Sequence, residues 1–155
     1  MKPTLFAAHF QLTGRCNLAC RFCGQTKGML AAEERELPVE TWRTAAEALE
    51  ESARGAGVIP EVMLWGGEPL LYRGFAELAE PLSRRGFRVG MVTNGTLIDE
   101  ELCKEVQRLG NLSFALSVEG YAETNDDRRG QGVFEKVMHA MDLMKEHGLL
   151  FGTSI

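Results

Sequence analysis

Three of the four cysteines in this 155-residue chain stand within eight residues, in Gly14-Arg15-Cys16-Asn17-Leu18-Ala19-Cys20-Arg21-Phe22-Cys23-Gly24, spaced C-x3-C-x2-C. Thiolates are soft ligands, and three on one loop select a soft metal or an iron–sulfur cluster. A structural zinc site takes four protein ligands, whereas a reactive metal centre keeps a position open. On a four-iron cube, three thiolates leave one iron bare, able to chelate a substrate or cosubstrate. A disulfide with a spare thiol would suit a secreted chain, and nothing in this sequence marks secretion. A zinc loop would have to borrow a histidine, and His9, His139 and His147 show no paired spacing with the cysteines. Cys103 lies far off in an apolar helical stripe, where it reads as a small buried hydrophobe.

Three further stretches carry unusual residues directly after apolar runs: Gly66-Gly67-Glu68-Pro69, Thr93-Asn94-Gly95 and Ser117-Val118-Glu119-Gly120. Gly66 and Gly67 allow backbone to approach a ligand closely. Pro69 holds Glu68 extended, so that its carboxylate and the strand-end carbonyls can face a ligand. The cysteine loop, with Phe22 just before its last cysteine, resembles the signature of the radical S-adenosylmethionine (radical SAM) superfamily, and Gly66-Gly67-Glu68-Pro69 resembles that family's Gly-Gly-Glu-Pro motif.

The resemblance implies a [4Fe–4S] cluster on Cys16, Cys20 and Cys23, with the open iron taking the amino and carboxylate groups of S-adenosylmethionine. It implies that Gly66, Gly67, Glu68 and Pro69 bind the methionyl ammonium, with the Glu68 carboxylate as an acceptor. Ser117, in a stretch like the family's Ser-Leu-Asp-Gly but with Glu119 for Asp, would bond the ribose or carboxylate. Thr93 and Asn94 match the family's Thr-Asn-Gly. Arg129, followed by Gly130 and Phe134 as in peptide-modifying members, would pair with the cosubstrate carboxylate, and Phe22 would line the adenine slot.

The implied reaction is one-electron cleavage of the sulfonium to a 5′-deoxyadenosyl radical that abstracts hydrogen. The implied partners are a peptide or small-molecule substrate and an external flavodoxin- or ferredoxin-like electron donor. The likeness runs closest to the maturases of peptides and proteins, and members in cofactor biosynthesis share the motifs. Two other readings compete: a non-catalytic iron–sulfur electron-transfer module and a zinc-stabilised interaction domain. An electron carrier has no use for an ammonium site, and the zinc reading lacks a fourth ligand.

Regular elements must bring these stretches together. Residues 8–13 read as a first strand, and Gly14, Asn17, Gly24 and Gly28 keep the cysteine loop irregular. Pro38 opens a helix striped by Val39, Trp42, Ala46, Leu49 and Ala53, which Gly55 and Gly57 stop. Residues 58–65 form a buried apolar strand. The next helix carries Phe75, Leu78, Ala79 and Leu82, with Pro81 expected to kink or shorten it. Residues 87–92 make a third strand, and Asp99 caps a helix bearing Leu102, Cys103, Val106 and Leu109. Residues 112–118 make a fourth strand, followed by a polar loop over 125–130 and a helix with Phe134, Val137, Met138, Met141 and Met144. A fifth strand starts at Leu149, with Phe151, Thr153 and Ile155 as its core residues.

Strand and helix alternate throughout, which predicts an α/β fold: a partial (β/α) barrel of parallel strands with right-handed crossovers. All four motif stretches then fall at the C-terminal ends of strands, the active face of such folds. The family core has six strands, so residues 1–155 are expected to be one incomplete core domain whose fifth-strand edge associates with a neighbour.

The chain has 17 basic and 22 acidic residues, a formal charge of −5, 45% hydrophobic and 25% charged residues. Charges of both signs are interspersed, so no nucleic-acid-binding face is expected. No apolar run reaches membrane-spanning length, and four cysteines without a signal sequence point to the cytoplasm.

Overall fold

A computed structural model describes residues 6–24 and 36–154. Gly28 and Ile155, given roles above, lie outside the described residues. Five strands pair in parallel in their sequence order: β1 (Ala7–Thr13), β2 (Glu61–Gly66), β3 (Arg88–Thr93), β4 (Leu112–Ser117) and β5 (Phe151–Ser154). Helices α1 (Val39–Ala56), α2 (Phe75–Arg84), α3 (Glu100–Leu109), α4 (Ala122–Arg129) and α5 (Val133–Glu146) fill the connections. A doubly wound sheet reverses its strand order and carries helices on both faces; sequential order with one hand of crossover stacks them on one face, as in an arc of a barrel.

Register and burial separate the two faces. Phe10, Leu64, Met91 and Phe114 stand in one cross-strand row and Val62, Val89 and Leu112 in another, all of them buried against the helices. The alternate row of His9, Met63, Gly90 and Ser113 belongs to the opposite face and is less buried. Buried residues such as Leu49, Leu78, Leu82, Val106, Val137 and Met144 come from the helices and complete one core.

Beyond one-residue shifts at the ends of β1, β3 and β4, the elements depart from the sequence reading at five places. Gly55 stays within α1, and Gly57 ends it with φ 69°, its N–H bonding the Ala53 and Arg54 carbonyls. The second strand starts at Glu61 rather than 58. Helix α2 runs through Pro81 to Arg84. Proline leaves the Glu77 carbonyl without its helical N–H, and Arg43 Nη2 from α1 donates to that oxygen at 3.2 Å. The stretch expected as a polar loop is helix α4. It has little apolar stripe; its Asn125 Oδ1 accepts the Glu119 N–H at 3.0 Å, and Asp126 accepts the N–H groups of Gly132 (2.6 Å) and Phe134 (2.8 Å). In β5 Phe151 is half-buried and packs against the core, whereas Thr153, expected as a core residue, is exposed. Their register partners Phe114 and Leu116 lie on the helix-covered face.

Candidate functional site

The cysteine loop leaves the end of β1 and is fastened on three sides. The first is the end of β2. Gly67 N–H donates to the Thr13 carbonyl at 2.9 Å and Glu68 N–H to the Arg15 carbonyl at 2.8 Å. A Cβ on Gly66 would strike the Thr13 carbonyl, and one on Gly67 would strike the Arg15 carbonyl. Both glycines are therefore required for backbone to lie on backbone, whatever a ligand also asks of them.

Fastening on the second side comes from charge. Arg15 Nε bonds Glu36 Oε1 at 2.7 Å, Arg15 Nη2 bonds the Leu71 carbonyl at 2.6 Å, and the Thr13 hydroxyl also donates to Glu36. Burial opposes ionisation of Glu36, but the bonds from Arg15 and Thr13 outweigh it and hold the carboxyl below its usual range.

The third side is α4. Arg21 N–H donates to the Arg128 carbonyl at 2.9 Å, and the Arg21 guanidinium pairs with Asp127. The Phe22 ring meets the Arg128 and Arg129 guanidinium carbons at 4.5 and 5.3 Å from its centroid, cation–π range. Glu119 in turn holds Arg128 Nε at 2.9 Å and Arg129 Nη2 at 2.7 Å. Glu119 thus acts on the two arginines that flank Phe22.

Within this frame Cys16, Cys20 and Cys23 open on one cavity of about 450 Å³ at the C-terminal ends of the strands. Phe22, Gly66, Gly67, Thr93, Asn94, Ser117 and Arg129 also line it. Of the twelve residues singled out from the sequence, only Glu68 and Pro69 do not. Pro69 begins a short 3-10 turn (Pro69–Leu71) and is buried. Glu68 is wholly buried: Oε1 accepts the Thr93 hydroxyl at 2.7 Å and the Leu70 N–H at 3.2 Å, and Oε2 accepts the Asn94 N–H at 2.8 Å. Burial pushes its carboxyl pKa up against the pull of these bonds. The carboxylate expected to face a cosubstrate faces the end of β3, joining it to the end of β2.

His9, Leu18, Met63, Trp65 and Val92 line the cavity too and were not singled out. Period-two alternation of Met63 and Trp65 with the buried Val62 and Leu64 was the available signal, masked by the reading of that run as buried on both faces. Among the described residues, Trp65 Nε1 finds no hydrogen-bond partner. A larger cavity, about 620 Å³, opens at the N-terminal ends of the strands; it holds no thiol and none of the motif residues.

The thiols fit an iron–sulfur cluster on their chemistry. None of the three is tied up in a disulfide, and all are at least partly exposed. Burial raises the Cys16 and Cys20 pKa values; each feels Cys23, Cys20 also feels Cys16, and Arg129 draws Cys20 the other way. The three are thus near enough to act on one another. Among the described residues, however, no group of three or more His, Cys, Asp or Glu converges to hold a single metal ion. A cube takes its thiolates at separate corners and does not need such convergence. Arg129 lines the same cavity, and its buried Nε has no hydrogen-bond partner among the described residues.

Comparison with known proteins agrees in sequence and in fold. The family model described as the Radical SAM superfamily matches residues 10–155. The Fe-coproporphyrin III synthase of Methanosarcina barkeri is 33% identical over 145 residues, 92% of this chain and 35% of that protein. The sporulation killing factor maturation protein SkfB of Bacillus subtilis is 34% identical over 137 residues, 88% of this chain and 32% of that protein. The solved structure of native anSMEcpe with bound AdoMet and Cp18Cys peptide matches at TM-score 0.78 and 25% identity, covering 95% of this chain and 41% of that one. The chain spans about a third of the length of these two curated relatives.

Proposed function

The chain belongs to the radical SAM superfamily, and from that premise we propose that it forms the cofactor-binding core of a radical enzyme. Cys16, Cys20 and Cys23 would hold a [4Fe–4S] cluster, and the cavity beside them would take S-adenosylmethionine. The observation that carries this reading is the meeting of three cysteines, a paired-glycine strand end and Arg129 on one cavity. When bound, cluster and cosubstrate supply one-electron cleavage to a 5′-deoxyadenosyl radical for hydrogen abstraction.

The chain's own groups bind and orient. Gly66 and Gly67 present strand-end backbone to the methionyl ammonium. Arg129 and Ser117 offer donors to the carboxylate or ribose. Phe22, kept on the wall by two guanidiniums, offers a face to the adenine. Thr93, Asn94, Glu68 and Pro69 shape that rim from beneath. The partly exposed thiols suit an external flavodoxin- or ferredoxin-like donor, and four cysteines without a disulfide suit a reducing cytoplasm. No helix among the described residues is long and apolar enough to cross a membrane. As substrate we propose a peptide or a small molecule; the likeness to SkfB favours the former and that to Fe-coproporphyrin III synthase the latter.

Anaerobic reconstitution with iron and sulfide tests the reading. About four irons per chain are expected. Cys16→Ala, Cys20→Ala or Cys23→Ala should each abolish stable binding, while Cys103→Ala, at a position on the buried face of α3, should keep it. Iron lost from the Cys103 variant alone would overturn the assignment.

A further inference from the structure

The Asn94 side chain is aimed at the cysteine loop, and its orientation is fixed by its neighbours. Asn94 Oδ1 accepts the Thr96 N–H at 3.0 Å and the Thr96 hydroxyl at 2.7 Å. A backbone N–H can only donate, so the amide oxygen must face Thr96 and the NH2 group must face the other way. There Asn94 Nδ2 donates to Asn17 Oδ1 at 2.9 Å, and Cys16 Sγ lies 3.9 Å from the same nitrogen. Asn17 Nδ2 closes the ring by donating to the Thr96 hydroxyl at 2.8 Å. One amide hydrogen is thus spent on Asn17, and the second is left for the sulfur. From beneath, Glu68 grips the Asn94 N–H at 2.8 Å and the Thr93 hydroxyl at 2.7 Å.

Resting on the reading of Cys16 as a cluster ligand, we propose that Asn94 is a positioning residue that donates an N–H···S hydrogen bond to the Cys16 sulfur and raises the reduction potential of the cluster. Adding an electron increases the negative charge on the ligand sulfurs, so a donor facing one of them favours the reduced form. Asn94 is 6% exposed, so its amide is held in place by the protein groups around it. The role differs from direct contact with the cosubstrate: Asn94 acts on the cluster whether or not the cosubstrate is present. The Glu68 carboxylate fixes the backbone from which the amide projects, tying the end of β2 to the cluster through β3.

Potentiometric titration of the reconstituted protein, followed by EPR without S-adenosylmethionine, tests this. Asn94→Ala removes the donor, and Asn94→Asp keeps the shape and the acceptor for Thr96 while replacing the donor by an acceptor. Thr96→Ala opens the ring but leaves the amide hydrogens in place. At a fixed potential, Asn94→Ala should lower the ratio of reduced to oxidised cluster roughly three- to tenfold, a downward shift of about 30–60 mV for one electron. Asn94→Asp should lower it further, and Thr96→Ala should stay within about twofold of the parent. An unshifted potential in both Asn94 variants, with iron retained, overturns the proposal while leaving the cluster assignment intact. Loss of iron from both would also overturn it, since Asn94 would then hold the loop rather than tune the cluster. A parent chain that binds no iron would overturn the cluster assignment first, and this proposal with it.

Discussion

Glu68 sits under the rim of the cavity with its three hydrogen bonds directed to Leu70, Thr93 and Asn94. Its replacement should therefore act on the rim first and on a ligand through it. Glu68→Gln puts an NH2 group against a donor, leaving a buried N–H or hydroxyl unpaired, at a cost of about 1–3 kcal/mol. Urea unfolding should show that loss in the metal-free protein. Equal stability of the two proteins would contradict the placement of the carboxylate. The motif was legible in the sequence; the direction of its acid was not, because Thr93 and Asn94 lie 25 and 26 residues away at the end of another strand. Gly66 and Gly67 were legible as sites of close approach, yet what approaches them in the structure is the backbone of Thr13 and Arg15. The Asn94–Asn17–Thr96 ring was invisible for the same reason, since it forms only once the cysteine loop lies across the end of β3.

Between elements, the Arg15–Glu36 pair ties the start of the cysteine loop to the segment that leads into α1. The folded state holds the Glu36 carboxyl below its usual pKa of about 4.3. A depressed acid contributes stability that is complete above the unfolded-state pKa and is lost as pH falls through the folded-state value. Glu36→Gln should therefore destabilise by about 1.5–3 kcal/mol at neutral pH, and its deficit against the parent should shrink below about pH 4. Thermal melts of the two proteins across that range would check this; a deficit that does not change with pH would contradict the ion pair. Helices with apolar stripes could be read directly, as could Asp99, whose side chain accepts the Leu102 N–H at 2.8 Å. Helix α4 could not, because polar bonds from Asn125, Asp126 and Glu119 hold it rather than a stripe. Nor could the passage of α2 through Pro81, which depends on Arg43 of another helix.

Over the whole molecule, sequential parallel order places every strand's C-terminal end on one side. Four stretches separated by about a hundred residues of sequence therefore meet on one cavity. That convergence was legible from the strand–helix rhythm, because strands joined by crossover helices run parallel and so end on the same side. The lining from the inner face was harder to read: Met63 and Trp65 sit in a run apolar on both faces, and only the position of the helices decides which face stays open. The central claim is that three thiolates hold a cluster with one iron left for S-adenosylmethionine. Mössbauer spectroscopy of protein reconstituted with 57Fe tests it most directly. Adding S-adenosylmethionine should shift the signal of about one iron in four and leave the other three as they were. Four irons that all keep their signals when the cosubstrate is added would contradict the claim.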